Sequence, residues 1–241
     1  MNTPLLSLHG VHTHIGAYHI LHGVDLEVPR GQLTLLLGRN GAGRTTTLRT
    51  IMGLWRASAG SIHFNGSDIT PARTPDIASL NIAYVPENMG IFPDLSVSEN
   101  MLLAARQARS VADIDALRLE WVFELFPAVK QFWKHPAGKL SGGQKQMVAV
   151  ARAIIEPRDL LIVDEPSKGL APAIVHNMID AFSSLKQKGV TILLVEQNLH
   201  FARQLGDTVA IMDQGRVVHA GRMQALIDNP ELQRQLLGLA L

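Results

Sequence analysis

A glycine-rich stretch near the N-terminus has the composition of an anion-binding loop. It comprises Gly38, Arg39, Asn40, Gly41, Ala42, Gly43, Arg44, Thr45 and Thr46. Glycine lets a backbone bend tightly and approach an anion closely. The free N–H groups of such a turn, and of a helix that begins behind it, point at phosphate oxygens. The stretch follows the phosphate-loop pattern G-x-x-x-x-G-K-S/T except at position 44, where arginine replaces lysine. We therefore predict a phosphate site here.

Arg44 changes the shape of the loop cation without changing its charge. Lysine carries a compact ammonium, whereas the arginine guanidinium is longer, planar and always charged. A guanidinium binds phosphate well, often with two hydrogen bonds. We therefore expect nucleotide binding to persist and catalytic positioning to suffer, because phosphoryl transfer depends on placement. The structural alternative is a surface arginine in the first helical turn that binds no ligand.

An acidic pair, Asp164 and Glu165, directly follows the apolar run 160–163. Such an unbroken run is typical of a parallel strand covered on both faces, and ligands bind at the carboxyl edge of such sheets. An aspartate at this edge can hold Mg²⁺ directly or through water. The adjacent glutamate can polarise an attacking water, although a structural salt bridge is the alternative for Glu165.

A second anion-binding element is predicted at residues 140–144. Ser141 is a good helix N-cap, and the residues 145–155 that follow have the apolar spacing of a helix. The glycines Gly142 and Gly143 leave the backbone N–H groups at the helix start accessible. Gln144 completes the element.

These residues need a sheet and helices to position them. The apolar pattern predicts strands before Pro29, around 33–37 and at 61–64, 82–85, 160–163 and 191–195, with a turn at 58–61 and a hairpin over 208–219. Helical spacing appears at 47–52, 97–108, 113–126, 145–155, 171–188, 223–227 and 231–237. The chain reads as an α/β nucleotide-binding core interrupted by helices over about 88–155.

Composition excludes several classes of function. The net charge of +1 favours neither nucleic acid nor an anionic membrane. The absence of cysteine rules out disulfide and thiolate chemistry. We see no secretory signal and no membrane-spanning run, and expect a cytoplasmic protein. The clustered His9, His12, His14, His19 and His22 lack the spacing of metal ligands, so we expect them to be exposed or packed. Trp121 and Trp133 are expected in the core of the helical segment.

The loop at 38–46, the pentapeptide 140–144 and Asp164-Glu165-Pro166 together resemble the ATP-binding-cassette (ABC) ATPases. The resemblance extends over almost the whole chain. It implies a P-loop NTPase, RecA-like α/β core with an antiparallel β subdomain and an inserted helical lobe. The whole chain, 1–241, would be one ABC ATPase domain. Residues 1–87 and 156–241 would form the core, and 88–155 the helical lobe with the signature motif.

The resemblance also implies ATP and Mg²⁺ as cofactors. The loop at 38–46 would cradle the phosphates, with Thr45 and Asp164 as metal partners and Glu165 orienting the hydrolytic water. Ser141 to Gln144 would complete the site of a second subunit in a head-to-tail dimer. Isolated monomers would then hydrolyse ATP poorly.

Three further positions depart from the usual ABC pattern. Glu87 occupies the place of a glutamine that senses the γ-phosphate, and it can bind a metal or a water. Gln197 occupies the place of a histidine, and it can hydrogen-bond a phosphate but cannot titrate. Both changes are usual in the importer group that the chain resembles. Ile15 falls where an adenine-stacking tyrosine is usual, and Tyr18 nearby is the alternative.

Within ABC ATPases, the chain is most similar to the smaller ATPase of branched-chain (hydrophobic) amino-acid importers. The phrases that carry this similarity are 19–24, 38–43, 84–87, 91–93, 164–167, 169–172 and 195–198. Urea and amide importers share much of them. The implied partners are a second ATPase, two membrane permeases and, indirectly, an extracytoplasmic binding protein. The chain would lie on the inner face of the membrane, with residues 87–100 gripping a permease helix.

Two other functions stay open at this point. Arg44 favours a weakly hydrolysing regulatory subunit of a heterodimeric transporter, whereas Glu165 and the intact 140–144 element argue against it. A soluble ABC protein acting on DNA or ribosomes is the other possibility. Such proteins usually carry tandem cassettes or long coiled-coil insertions, so we expect no nucleic-acid partner.

Overall fold

The computed structural model describes residues 3–237, so both ends of the predicted domain 1–241 lie outside the described residues. The strands are β1 Leu6–Ile15, β2 Tyr18–Val28, β3 Leu33–Gly38, β4 Ala57–Phe64, β5 Ser67–Asp68, β6 Ile82–Val85, β7 Leu160–Asp164, β8 Thr191–Val195, β9 Thr208–Asp213 and β10 Arg216–Arg222. The helices are α1 Arg44–Ile51, α2 Thr74–Ser79, α3 Val97–Leu102, α4 Ala116–Leu125, α5 Pro127–Gln131, α6 Gly142–Ile154, α7 Pro172–Gln187, α8 Leu199–Leu205, α9 Met223–Ile227 and α10 Pro230–Leu237. Together they form an α/β fold.

A six-stranded sheet of order β10-β9-β3-β8-β7-β6 forms the core. Its strands run parallel except for β10, which pairs antiparallel with β9 at one edge. All residues of β7 and β8 are buried, as their unbroken apolar runs predict. Asp164 at the end of β7 pairs with Val195 at the end of β8, and β3 ends alongside at Gly38. The loops that follow these three strands therefore meet at one edge.

A four-stranded antiparallel sheet of order β2-β1-β4-β5 packs against this core. The turn predicted at 58–61 is wrong, because β4 runs without interruption through it. Gly60 takes a φ of +83°, and a side chain there would collide with the Gly10 backbone of β1. Glycine therefore allows the two strands to pair closely at an irregularity in register. Asn65 and Gly66 form a tight turn between β4 and β5, and both residues have positive φ.

Helices α3 to α6 lie between β6 and β7 in sequence. The helix predicted over 97–108 ends at Leu102, because the N–H of Arg106 donates to Glu156 Oε1 at 2.6 Å instead of continuing the helix. The helix predicted over 113–126 begins only after Asp115, whose side chain caps it. Trp121 and Trp133 are partly buried against the main apolar cluster.

Helix α6 begins with the predicted cap. The Ser141 side chain accepts from Gln144 N, and the Gln144 side chain accepts from Ser141 N, which makes a capping box. The helix starts at Gly142, earlier than the predicted Lys145. Helices able to cross a membrane are absent from residues 3–237.

Candidate functional site

The glycine-rich loop is held in shape by its neighbours. Gly215, in the turn between β9 and β10, donates its N–H to the carbonyl of Ala42 at 2.9 Å. Gly43 has a φ of +103° and directly precedes α1. That helix begins at Arg44 rather than at the predicted Thr47. Because the first N–H groups of α1 and the bend before it face the same space, the loop is shaped to receive an anion.

The loop borders a cavity of about 400 Å³. Residues from four other segments border the same cavity. Its lining residues are Ile20, Arg39, Asn40, Gly41, Ala42, Gly43, Arg44, Thr45, Thr46, Glu87, Glu165, Lys168 and Gln197. The structure thus brings the predicted phosphate loop together with all three predicted catalytic side chains, at the sheet edge where ligands are expected.

Arg44 lies inside this site. Its side chain is 5% exposed, and its Nη2 is 2.6 Å from Glu165 Oε1. Its Nη1 donates to the carbonyl of Gly38. The alternative of a surface arginine is therefore wrong, and the salt bridge considered for Glu165 is present, with Arg44 as its partner. Sequence patterns could not find this contact, because the two residues are far apart in the chain.

Glu165 is held in place through both its backbone and its side chain. Its backbone has a φ of +50°, a conformation that side chains other than glycine rarely adopt. Its N–H donates to Val195 O at 2.9 Å. Its Oε1 accepts from Gln197 Nε2 at 2.5 Å as well as from Arg44. Strained backbone of this kind is concentrated at functional sites, because the surrounding structure must hold it.

Asp164 is buried, and neither of its carboxylate oxygens has a hydrogen-bond partner. Burial raises the pKa of Asp164 to about 6, and the nearby carboxylates of Glu165 and Glu87 add to the effect, while Thr45 and Arg44 oppose it. A buried carboxylate without partners is costly unless it meets a cation. Asp164 is therefore suited to hold a hard divalent ion, as predicted for Mg²⁺.

Lys168 is a site residue that the sequence reasoning missed. Its Nζ lies 2.5 Å from Glu87 Oε1 and 3.5 Å from Glu165 Oε2. In the sequence, Lys168 could have been found from its position just beyond the acidic pair, on the same loop. Ile20 is the other missed residue that lines the cavity.

Other predicted residues lie away from this cavity. Ser141, Gly142, Gly143 and Gln144 do not line it, and Ser141 and Gly142 are exposed. Ile15 does not line it either, and Tyr18 is 76% exposed. The adenine contact of Ile15 and the phosphate contact of the 140–144 element therefore stay predictions.

The N-terminal histidines are exposed or half-buried and pack against each other. His12 and His19 are linked through ring nitrogens 3.0 Å apart, and His14 stacks on His19 at 4.1 Å. Among residues 3–237 no group of three or more His, Asp or Glu side chains could hold a metal. The exposed or packed positions of the five histidines are as expected. Mg²⁺ beside phosphates needs only one or two carboxylates.

Comparisons with known proteins give the family. The model of the ABC transporter family matches residues 21–168. The branched-chain amino acid transport protein BraG of Pseudomonas aeruginosa is 37% identical, over 97% of this chain and 100% of that protein. The probable counterpart LivF of Archaeoglobus fulgidus is 33% identical, over 92% and 93%. A solved ATP-binding subunit of an ABC transporter has a TM-score of 0.79 and 29% identity, over 98% and 95%. As the three motifs predicted, the chain belongs to the ABC transporter family.

Proposed function

We propose that the chain is the ATP-binding and ATP-hydrolysing subunit of an importer for branched-chain amino acids. The observation that carries the ATPase part is the single sheet edge where the glycine-rich loop, the unpaired Asp164 and the constrained Glu165 meet. The substrate class rests on the names of BraG and LivF, both branched-chain amino acid transport ATP-binding proteins. Urea and amide importers are the alternative substrate class.

Each group of site residues has a separate role in ATP hydrolysis. The backbone N–H groups of the loop and of the start of α1 bind the phosphates. Thr45 and Asp164 would hold Mg²⁺, which would supply positive charge beside the phosphates. Glu165 orients the attacking water and Gln197 fixes its carboxylate, while Glu87 is within reach of a water or the metal.

A second ATPase subunit completes the site. The 140–144 element does not line the cavity of its own chain, and its residues Ser141 and Gly142 are exposed at the start of α6. In a head-to-tail pair each chain offers this element to the loop of the other. The site of one chain is therefore incomplete without a second one.

The segment 87–100, at the start of the helical lobe, is the proposed contact with the permeases. Phe92 stands exposed in this segment, and Leu103 and Leu117 stand exposed farther along the lobe. Exposed apolar side chains on a lobe of this kind suit an amphipathic helix of a membrane partner. This docking would keep the chain peripheral on the inner face of the membrane.

Mg²⁺ binding should depend on pH through Asp164. The folded pKa of this acid is raised to about 6, so below that pH the carboxyl binds a proton and its affinity for Mg²⁺ falls. Loss of this ligand should weaken Mg²⁺ binding by about tenfold per pH unit below the pKa. Titration calorimetry of Mg²⁺ with ADP-loaded protein at pH 5, 6 and 7 would measure this, and in Asp164→Asn the slope should fall to the part contributed by the phosphates of ADP.

The function is tested by reconstitution. The chain, its permeases and a second ATPase are placed in vesicles with the cognate binding protein. We expect ATP-dependent uptake of leucine, isoleucine and valine. Uptake of urea or amides alone would show that these, and not branched-chain amino acids, are the substrates.

Uptake without ATP hydrolysis at the loop of this chain would favour a second candidate function, that of a weakly hydrolysing regulatory subunit. The Arg44–Glu165 ion pair is the observation in favour of this candidate.

A further inference from the structure

The cavity contains an ammonium group that does not come from the glycine-rich loop. Lys168 lies on the loop after β7, and it is the single lysine among the described residues that line the cavity. Its Nζ faces the carboxylates of Glu87 and Glu165 at 2.5 and 3.5 Å. A phosphate loop of the usual pattern has its own lysine at position 44, which is arginine in this chain.

Arg44 is poorly placed to take the role of that lysine. One of its terminal nitrogens donates to Gly38 O and the other binds Glu165. With 5% of its side chain exposed, it can turn toward a phosphate only by breaking a buried ion pair. Breaking such a pair is costly, because one charge is left buried and unpaired.

Lys168 has the freedom that Arg44 lacks. Its side chain is 59% exposed, and an ammonium has three N–H donors. Two of them face the carboxylates, which leaves one for a phosphate oxygen. Its hydrogen bond to Glu87, followed by the charges of Glu165 and Glu87, raises the pKa of Lys168, so the group stays protonated.

The acidic side chains of the cavity give such a cation a role beside Arg39 and Arg44, which also line the cavity. Glu87 and Glu165 line it, and Asp164 lies directly before Glu165. These acids repel the terminal phosphate of ATP. For Glu165 to orient a water against the terminal phosphate, that phosphate must lie close to the carboxylates. A cation between the two carboxylates reduces the repulsion at this place.

We propose that Lys168 binds the terminal phosphate of ATP and supplies the ammonium that the glycine-rich loop lacks. The inference rests on the proposed ATP site, and it deepens it. Lys168 therefore discriminates ATP from ADP, because ADP has no terminal phosphate to contact.

The first test measures affinities in the full chain by titration calorimetry with Mg²⁺. The ligands are ADP and the non-hydrolysable β,γ-imido analogue of ATP. Lys168→Ala should weaken the analogue by about tenfold and change ADP by less than about twofold, as expected for one charge-assisted hydrogen bond. Lys168→Arg should keep most of the affinity. Lys134→Ala, an exposed lysine outside the cavity, should change neither ligand.

The second test restores the usual loop. Adding Arg44→Lys to Lys168→Ala should recover affinity for the ATP analogue, and ADP binding shows that each variant is folded. An equal loss of affinity for both ligands, or no loss, would overturn the proposal that Lys168 binds the terminal phosphate. If Arg44→Lys recovers no affinity, the claim that Lys168 replaces the loop lysine is wrong. If the unaltered chain binds neither ligand, the proposed function itself fails, which is a different result.

Discussion

Glu165→Gln is expected to cut ATP hydrolysis by the assembled transporter by at least about a hundredfold, the usual effect of removing a general base. The amide keeps the shape of the side chain and an acceptor for Arg44, but it cannot accept a proton from water. ATP should therefore bind and remain, holding the two ATPase subunits together. Phosphate release gives the rate, and size-exclusion chromatography with ATP gives the dimer fraction.

The matched control for this change is Glu124→Gln, an exposed glutamate on α4. It should leave hydrolysis and subunit association unchanged. If Glu165→Gln hydrolyses ATP at the rate of the unaltered chain, then Glu165 has no catalytic part, and its bond to Arg44 is structural alone.

Arg44→Met should lower the free energy of unfolding in the absence of nucleotide by up to about 3–5 kcal/mol, the cost of breaking a buried ion pair. The substitution removes the cation nearest to the buried Glu165 carboxylate, although Gln197 still donates to it and Lys168 Nζ stays 3.5 Å from its Oε2. Arg44→Lys keeps a charge of the same sign and should cost less. Urea unfolding at pH 7, followed by circular dichroism, gives the values.

A double variant separates the ion pair from packing. Arg44→Met with Glu165→Gln removes both charges, so it should recover part of the stability that Arg44→Met alone loses. A double variant as unstable as the sum of the two single changes would show that the pair carries no coupling. In that case the low exposure of Arg44 would reflect packing of its stem.

Much of the site could be predicted from local patterns. The apolar run before Asp164 predicts a buried parallel strand, and that alone places the acidic pair at the ligand edge of the sheet. The glycine spacing of 38–43 predicts the loop, and Ser141 predicts the cap of α6. In each case the determining residues lie within one turn or strand of each other.

The errors come from contacts across the chain. The Glu156 side chain accepts from Arg106 N, and α3 ends before Arg106 although the apolar spacing of the sequence predicts a longer helix. The local sequence around Gly60 predicts a turn, because the Gly10 backbone that Gly60 packs against lies in another strand. The bonds of Arg44 and Lys168 to Glu165 depend on side-chain rotamers in a folded site. Sequence spacing carries no information on these.

The position of the 140–144 element, outside the cavity of its own chain, has a consequence for a transporter with two different ATPase chains. In the proposed head-to-tail arrangement, such a pair would contain two composite sites that are not equivalent. One would join the loop of this chain, with Arg44, to the partner's signature residues. The other would join the partner's loop to Ser141 of this chain. Substitutions at Arg44 would therefore change the loop of one site, and substitutions at Ser141 would act on the other.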